Sequence, residues 1–593
     1  MGDDSGAEQP LLGNRTEYTE YGALGGVDAA GGGDRVPAPA SDTGSFNGSL
    51  DSEAQEGVQQ ADAVTLVWTR SALILAYVFI FLNFCSMSME EQTTANLLPF
   101  VVSDFSAHSL IPAIGIASFV LSGVLRLPIA KMIDIWGRPQ GLAAMTAMAT
   151  LGLVLMATCK SATTYAAAQV LRVIGLSGFS YILEIIIADT SSLKDRALAF
   201  AFTGSPSIAT NLLGPPVAQW FLRHSSWRTA FAMFAVLTPL ASLPVFAILA
   251  SNVRKARRLG VLKTSHKSGR TWSENLRYYT IEFDAVGVVL VGAGLPLFLL
   301  PFSIAGSSAS KWSPGIILMM VLGSIFLAAF ALFECFCSPK PFVPFQLLCS
   351  RNVMGSFILS SVLFIAYYCW DGYFTSYLQV VHQLSIYQAG YVANTYIMLG
   401  GLWAFVAGWL IRFSDRFKWL ALCAVPVHIL SGVLMVCFRQ PEMPIFLVVL
   451  PQVLQALGGS TLVVTEQMAV MAVAKHGEVA SLIALLGLSS AVGSGIGSSV
   501  SGAIWTNTVY AELLRLLPDD TKDRARDIYE SLHLQLSYPV GSPVRDAIIQ
   551  AYTIAQRRML LAGLCILLLA IPAVAVWRDV RVSQFRQVKG RVV

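Results

Sequence analysis

A carboxylate lies inside a strongly aromatic stretch of one long apolar segment. The run Trp370-Asp371-Gly372-Tyr373-Phe374 belongs to a segment long enough to cross a membrane, and an apolar segment rich in Tyr, Gly and Trp follows it. A charged side chain within a membrane is costly, so it generally faces a water-filled cavity or a partner rather than lipid. Aromatic side chains around it suit a pocket for a bulky solute. We therefore predict that Asp371 lines a transport pathway; the alternative is an interfacial Tyr/Trp belt with one acid that reaches water.

Four further acids in or beside apolar segments are candidates for carrying a proton: Glu90, Glu91, Glu184 and Glu466. Burial favours the neutral form of a carboxyl group, which makes a proton the natural coupling ion. The first two, with Asp371, are predicted near the outer ends of their segments, where a proton would be loaded. The other two are predicted near the cytoplasmic ends, where it would leave. The alternative for each acid is a structural ion pair, for example Glu184 with Arg172.

Aromatic residues beside Asp371 recur at helical spacing and are the candidates for binding substrate. Tyr367, Trp370, Phe374 and Tyr377 follow the spacing of one helical stripe. On the next apolar segment, Tyr391 and Trp403 could complete the wall. Core packing is the alternative for such a stripe.

The composition is that of an integral membrane protein. Of 593 residues, 55% are hydrophobic and only 13% are charged, with a mean hydropathy of +0.61, whereas soluble domains carry about a quarter charged residues. The net charge of +4 does not indicate a nucleic-acid partner, and the nine cysteines and seven histidines lack the close spacing of a metal centre or a disulfide framework. No Gly-x-x-x-x-Gly-Lys-Ser/Thr loop is present. We therefore expect gradient-driven transport by a monomer in a lipid bilayer, with no enzymatic activity, cofactor or resident metal.

Fourteen apolar segments are each long enough to cross about 30 Å of hydrocarbon. They are residues 70–93, 109–132, 140–160, 163–189, 197–221, 227–249, 284–304, 314–336, 354–377, 388–412, 418–438, 444–472, 479–509 and 557–577. Loop 251–282 holds eight basic residues, whereas loop 94–108 has none. Because cytoplasmic loops carry an excess of Lys and Arg, both termini are predicted to be cytoplasmic.

The two halves of the chain repeat at a nearly constant offset. Glu90 and Asp134 are followed 281 positions later by Asp371 and Asp415, and residues 169–175 resemble residues 452–458. Such repeats are typical of transporters built from duplicated bundles. We therefore predict an all-α polytopic fold of two six-helix bundles with two inserted helices. Its parts are a disordered tail (1–65), the first bundle (66–250), a basic loop (251–283), the inserted helices (284–336), the second bundle (337–577) and a C-terminal tail (578–593).

The turn after the second apolar segment is a candidate gate. Gly137 allows a tight turn, and Asp134 and Arg138 can pair with a neighbouring helix end such as Asp189. Together with Asp415, these groups would hold the cytoplasmic side shut in one state and release it in the other; the alternative is an ordinary polar loop. The turn resembles the signature of the major facilitator superfamily, Gly-x-x-x-Asp-Arg-x-Gly-Arg-Arg. Asp134, Gly137 and Arg138 match that signature, whereas positions 130, 135 and 139 depart from it.

Four stretches narrow the resemblance within the superfamily: residues 92–97, 339–348, 373–381 and 537–548. Together they resemble the fungal siderophore–iron transporter family over about residues 65–580. The resemblance implies a fourteen-helix major facilitator fold and proton-coupled uptake of ferric chelates, mainly hydroxamates, by alternating access. A few members of that family instead exchange glutathione or other solutes for protons.

The last external loop, predicted over residues 511–555, contains Tyr538 and Arg545. Long ordered loops are often functional, and we expect this one to close over a captured chelate.

Three functional classes follow: a proton-coupled importer of ferric siderophores, an antiporter of glutathione or drugs on the same fold, and a non-transporting receptor. Drug antiporters of the superfamily often carry Gly-Pro-x-x-Gly-Gly, but here Gly214-Pro215 are followed by Pro-Val-Ala-Gln. The filled complement of intramembrane acids argues against a receptor. Plasma membrane and endosomal or vacuolar membrane both stay open, because the dileucine-like stretch at residues 8–12 has its acid one position off the usual spacing.

Overall fold

The protein is helical throughout the part of the chain that the structure describes. The computed structural model describes residues 56–105, 110–191, 193–262, 271–305, 313–338, 350–473 and 479–581. Thirteen spans there are long and apolar enough to cross a membrane. The remaining predicted span, 197–221, is divided between α6 (Leu193–Gly204) and α7 (Pro206–His224). The predicted all-α membrane fold is confirmed, and the division occurs where Pro206 supplies no N–H to continue the first helix.

The first bundle consists of the spans that precede the basic loop. They are α2 (Arg70–Asp104), α3 (Ile111–Trp136), α4 (Arg138–Thr158), α5 (Ala162–Thr190), the α6–α7 pair and α8 (Trp227–Arg258). Hydroxyl side chains fix where several of them begin. Ser161 and Ser226 each accept a hydrogen bond from a backbone N–H in the first turn of α5 and α8, which satisfies one of the donors left free at a helix start.

A short helix, α1 (Glu56–Val67), precedes the first span and packs against α3, α5 and α8. The prediction of a disordered tail to residue 65 therefore does not hold for residues 56–65, whose buried side chains include Gln60, Ala63 and Val64. Residues 1–55 lie outside the described part.

In the part of the chain that the structure describes, three helices separate the two bundles: α9 (Trp272–Glu282), α10 (Ala285–Ile304) and α11 (Pro314–Phe336). The pair α10–α11 corresponds to the predicted inserted helices. Only 11% of the apolar window of α11 is buried, and among the helices here it packs mainly on α10. Most of its surface is therefore available to lipid.

The second bundle consists of the described helices that follow α11. Its elements are α12 (Arg351–Asp371), α13 (Phe374–Val381), α14 (Ile386–Ser414), α15 (Lys418–Phe438), α16 (Ile445–Met471), α17 (Val479–Leu516), the short α18 (Ala525–Glu530) and α19 (Leu532–Ser537), α20 (Pro543–Leu567) and α21 (Ala570–Ala575). The loop predicted over 511–555 is shorter, because the polar ends of α17 and α20 remain helical. We call residues 517–542 the outer connection.

The two bundles meet mainly along α3 with α17 and along α6 and α7 with α14. Within the second bundle, α17 approaches α12 closely through glycines. A Cβ at Gly493 would lie 2.5 Å from the Ser361 carbonyl oxygen, and one at Gly497 would lie 2.7 Å from that of Ile365. This contact places α12, which carries Asp371, against the helix that also packs on the first bundle.

Candidate transport pathway

Two cavities lie between the bundles and share part of their walls. One, of about 550 Å³, lies on the side of Asp134, and we call it the motif-side cavity. The other, of about 480 Å³, lies on the side of the outer connection, and we call it the loop-side cavity. Both are bounded by Glu91, Phe119, Arg172, Val173, Phe364, Tyr368 and Val463. We call this shared set the waist.

Two neighbouring acids of α2 meet different surroundings at the waist. Glu90 is fully buried and is bonded by Arg172, whose Nη1 lies 2.7 Å from Oε1 and 2.8 Å from Oε2. Thr94 donates a further hydrogen bond to Oε1 at 3.0 Å. Glu91 is exposed to both cavities. Because α2 extends from Arg70 to Asp104, these acids lie near the middle of the span. The sequence had predicted them at its outer end.

Asp371 is the last residue of α12 and lines the loop-side cavity. The hydroxyl of Tyr367, one helical turn earlier, lies near its carboxylate. The span is interrupted here, since α12 ends at Asp371 and α13 begins at Phe374. The carboxylate thus lies at a helix break beside a central cavity.

The predicted aromatic stripe faces the cavity at one position only. Tyr367 lines the loop-side cavity, but Trp370, Phe374 and Tyr377 are buried and absent from the lining of either cavity. Trp370 and Phe374 hold the guanidinium of Arg439, whose Cζ lies 4.0 Å and 3.9 Å from their ring centroids. These rings therefore pack inside the bundle around a buried cation, which is why they do not reach the cavity.

The residues of α12 that do face the cavities are Leu363, Phe364, Tyr367, Tyr368 and Asp371. The sequence prediction did not include Tyr368, because the helical stripe through residues 367, 370, 374 and 377 contains more aromatic residues than the stripe that includes Tyr368. The presence of Asp371 on a face with residues 364, 367 and 368 was the signal that could have identified it.

Neither of the two aromatic candidates of α14 lines the motif-side or the loop-side cavity. Trp403 donates from Nε1 to Thr461 Oγ1 at 2.9 Å and so joins α14 to α16. Tyr391 contacts the ring of Tyr387 on its own helix. Two other residues of the same helix line the loop-side cavity instead. Asn394 lies about one turn from Tyr391, and Tyr396 lies about two turns from Trp403.

The acids near the ends of α5 and α16 also differ from one another. Glu184 lines the motif-side cavity, accepts a hydrogen bond from Ser180 at 3.2 Å and is attracted by Arg126 of the same cavity. The alternative pairing of Glu184 with Arg172 is therefore not observed, because Arg172 binds Glu90. Glu466 is buried, and its neighbour Gln467, rather than Glu466 itself, lines the cavity.

The candidate gate residues of the first half form one cluster. Gly137 has a φ of 99° and makes the turn between α3 and α4. Arg138 bonds with Asp134 Oδ1 at 3.2 Å and Asp189 Oδ2 at 3.3 Å, and its Nη1 also lies 3.5 Å from the Gly57 carbonyl of α1. The end of α5, the turn and α1 are thus joined by one guanidinium.

The equivalent turn of the second half uses a different pair. Asp415 ends α14 with a φ of 56°. The next residue, Arg416, forms an ion pair with Asp579 at 2.5 Å. An ion pair is thus present at the corresponding turn of each half.

The outer connection is fastened to the loop side of the second bundle. Arg545 is buried and donates to the carbonyl oxygens of Gln535 and, at 2.9 Å, of Val380. Gln535 in turn donates to Ile528 O at 2.7 Å. Tyr538, at the end of α19, packs against the adjoining apolar cluster. Arg545 thus links the connection to the end of α13, close to the span that carries Asp371.

These features define a class of protein: a transporter whose two halves enclose a central passage lined by carboxylates. Residues 77–438 match the model of the Major Facilitator Superfamily. The chain is 45% identical to "MFS siderochrome iron transporter D" of Aspergillus fumigatus over 91% of this chain and 90% of that one. It is 38% identical to "Siderophore iron transporter mirB" of Emericella nidulans over 91% and 89%, respectively.

Solved structures agree on the fold. A bacterial homolog of the human lysosomal transporter Spinster, in an inward-facing and occupied conformation, aligns with a TM-score of 0.51 and 14% identity, over 87% of this chain and 98% of that one. The chain therefore belongs to the family of siderophore–iron transporters within the major facilitator superfamily.

Proposed function

We propose that this protein takes up ferric siderophore chelates of the hydroxamate type in symport with protons. The relatives named above are siderochrome and siderophore iron transporters, which supports the substrate. The observation that carries the mechanism is that Glu91 lies in the wall of both cavities, beside a buried ion pair. One titratable group can thus exchange protons with either cavity.

The cavities suit a bulky chelate that brings its own iron ligands. Their volumes of about 550 and 480 Å³ fall in the range of ligand pockets, about 300–1,000 Å³. Phe119, Phe364, Tyr367 and Tyr396 supply flat apolar faces, and Asn394 supplies an amide. Because hydroxamate oxygens fill the coordination positions of iron, the walls need only stack on the chelate and bond to its rim.

Protons supply the energy through the carboxylates that reach the cavities. Asp371 and Glu91 take up protons from the loop side when the chelate binds there. Protonation neutralises the two carboxylates and favours closure of the passage around the protons and the chelate. Release toward the motif side follows when that side opens, and Glu184 beside Arg126 lies along the route. The order of binding sets the coupling between proton and chelate.

Alternating access requires that the waist and the motif-side cluster open in turn. The ring centroids of Phe119 and Tyr368, one from each half, are 4.6 Å apart at the waist. Arg138, Asp134 and Asp189 join the ends of α4, α3 and α5 on the motif side. With both termini cytoplasmic, transport runs inward across the plasma membrane or out of an endosomal or vacuolar compartment.

Uptake of radioactive iron tests the proposal. The wild type and Glu91→Gln are expressed in a fungal cell that lacks its own siderophore uptake and are supplied with a ferric trihydroxamate, with and without a proton uncoupler. We expect accumulation by the wild type that the uncoupler abolishes, and at most a tenth of that accumulation by Glu91→Gln at equal surface level. Binding without accumulation would indicate a receptor. Proton-driven glutathione efflux with no iron uptake would indicate the antiporter.

A further inference from the structure

Arg439 is a buried cation with unused hydrogen-bond donors. It caps the end of α15 and is 2% exposed. Its guanidinium lies against the rings of Trp370 and Phe374, and Nη2 contacts only the thioether sulfur of Met435 at 3.4 Å. Nε and Nη1 have no hydrogen-bond partner among the described residues. Since a guanidinium keeps its charge in proteins, these donors call for an acceptor.

The carboxylate that attracts this guanidinium is Asp371. Trp370, one of the rings that holds Arg439, is its immediate neighbour in the chain. In the structure the carboxylate faces the loop-side cavity, near the hydroxyl of Tyr367. Asp371 therefore lies between two surroundings: the loop-side cavity, which its carboxylate faces, and the interior of the second bundle, which holds the guanidinium of Arg439.

The backbone beside Asp371 offers a means of changing its direction. α12 ends at Asp371, and α13 resumes at Phe374 after Gly372 and Tyr373. A Cβ placed at Gly372 would meet nothing within 4 Å, so this turn is not wedged by a neighbour. Short breaks in transporter helices are points where backbone angles change between states.

We propose that Arg439 is a positioning residue that receives Asp371 once this acid has given up its proton. The carboxyl O–H releases its proton to water, the electron pair stays on the carboxylate, and the carboxylate turns from Tyr367 toward Nε and Nη1 of Arg439. Return of a proton reverses the movement. The inference rests on the proposed coupling role of Asp371 and adds the group that stabilises its ionised form.

Other titratable groups around the pair come from several helices, and the experiment must separate them from Asp371. They are Tyr367, Tyr368 and Tyr377 on the same span, Tyr396 on α14, Glu91 on α2, and Glu442 after α15. Substituting Asp371 as well separates these possibilities. If Arg439 acts through any other group, its substitution still changes the pH profile when Asp371 is absent.

The test uses the full chain in proteoliposomes, with uptake of a labelled ferric trihydroxamate measured against external pH. Arg439→Met keeps an apolar stem between the two rings and removes the charge. We expect it to move the pH midpoint of uptake upward by about one unit, because a nearby cation favours the ionised carboxylate. Arg439→Lys should keep the wild-type midpoint. Arg228→Met is the matched control, since Arg228 also stacks on a tryptophan, at 4.0 Å, and donates to a carbonyl rather than to an acid.

The double variant Asp371→Asn/Arg439→Met should show the same pH profile as Asp371→Asn alone. A midpoint that stays in place in Arg439→Met, or a shift that persists without Asp371, overturns the inference. If Arg439→Met does not reach the membrane, the surface level of the double variant decides: recovery supports a charge left without its partner, and no recovery overturns it. Unchanged pH dependence and uncoupler sensitivity in Asp371→Asn would instead remove the proposed role of Asp371 itself.

Discussion

Glu90 and Glu91 are adjacent in the chain but have different physical roles. The carboxylate of Glu90 is enclosed with Arg172 and Thr94, whereas that of Glu91 meets both cavities. Taking one partner out of a buried ion pair leaves an uncompensated charge. An acid exposed to a cavity can change its protonation at lower cost. The pair thus combines a structural acid with one suited to coupling.

Glu90→Gln should therefore destabilise the fold by about 3–5 kcal/mol, the usual cost of breaking a buried pair. Thermal unfolding of the purified protein in detergent measures this loss. Arg416→Met breaks the half-exposed pair with Asp579 and serves as the control, with an expected cost of about 0–1 kcal/mol. Equal losses in the two variants would contradict the structural role of Glu90.

Sequence reasoning identified the acids but not their partners. Hydropathy singles out Glu90, Asp371 and Glu184 because few charges occur in the apolar segments. The partner of Arg172 could not be chosen, since Glu184 lies on its own helix whereas Glu90 is 82 positions away. The periodicity of α12 defined an aromatic stripe, but periodicity does not say whether a stripe faces a cavity or, as here, a buried Arg439.

Close helix packing in the second bundle depends on the absence of side chains at two positions of α17. Gly493 and Gly497 let the helix lie against the carbonyl oxygens of α12. Small residues at four-residue spacing are how membrane helices approach closely. This spacing was readable in the sequence; the identity of the facing helix was not.

Gly493→Ala should push α17 away from α12 and cost about 1–3 kcal/mol through overpacking. The expected result is a lower unfolding temperature and reduced uptake. Gly315→Ala, at a position where a Cβ meets nothing within 4 Å, should change stability by at most about 0.5 kcal/mol. Similar changes in unfolding temperature and uptake for the two substitutions would show that the close contact at Gly493 does not determine stability.

The outer connection is held by a few buried polar bonds. Arg545 bonds it to Val380, and Tyr552 donates to Gln535 Oε1 at 2.6 Å. Burial raises the pKa of Tyr529, so this phenol stays neutral at physiological pH. This phenol therefore contributes no charge to the packing of the connection.

Arg545→Met should release the connection, because two carbonyl oxygens lose their charged donor. Hydrogen–deuterium exchange of residues 525–537 is expected to rise at least tenfold, with a fall in chelate uptake. Lys522→Met removes only an exposed ion pair with Asp519 and should leave exchange of these residues unchanged. Faster exchange with normal uptake would show that closure of the connection is not needed for transport.

The two halves of the molecule touch through aromatic rings where the cavities adjoin. Phe119 of α3 and Tyr368 of α12 are the rings in contact there. Wide apolar contacts of this kind separate two water-accessible spaces without fixed bonds, so they can part when the bundles tilt. Hydropathy and repeats were sufficient to predict two bundles. The position of the waist required the three-dimensional arrangement, because its members come from five spans.

Replacing both Phe119 and Tyr368 with Ala should join the cavities and uncouple transport. Proton entry into proteoliposomes without chelate, followed with an internal pH-sensitive dye, is expected to rise at least fivefold. Replacing Trp409, an exposed aromatic residue stacked on Phe413, with Ala should leave this leak at the wild-type level. If the double variant shows no more proton entry than the wild type, the barrier between the two cavities is not formed by Phe119 and Tyr368.

The position of α1 makes the amino-terminal segment a natural reporter of the working cycle. A Cβ on Gly57 would collide with the carbonyls of Ile133 and Asp134, and Arg138 bonds the Gly57 carbonyl. Since the helix is fitted so tightly to that turn, any tilting of the turn must carry it along or detach it. A fluorophore attached at Glu56, paired with a quencher on the opposite half, would follow turnover in real time without touching the passage.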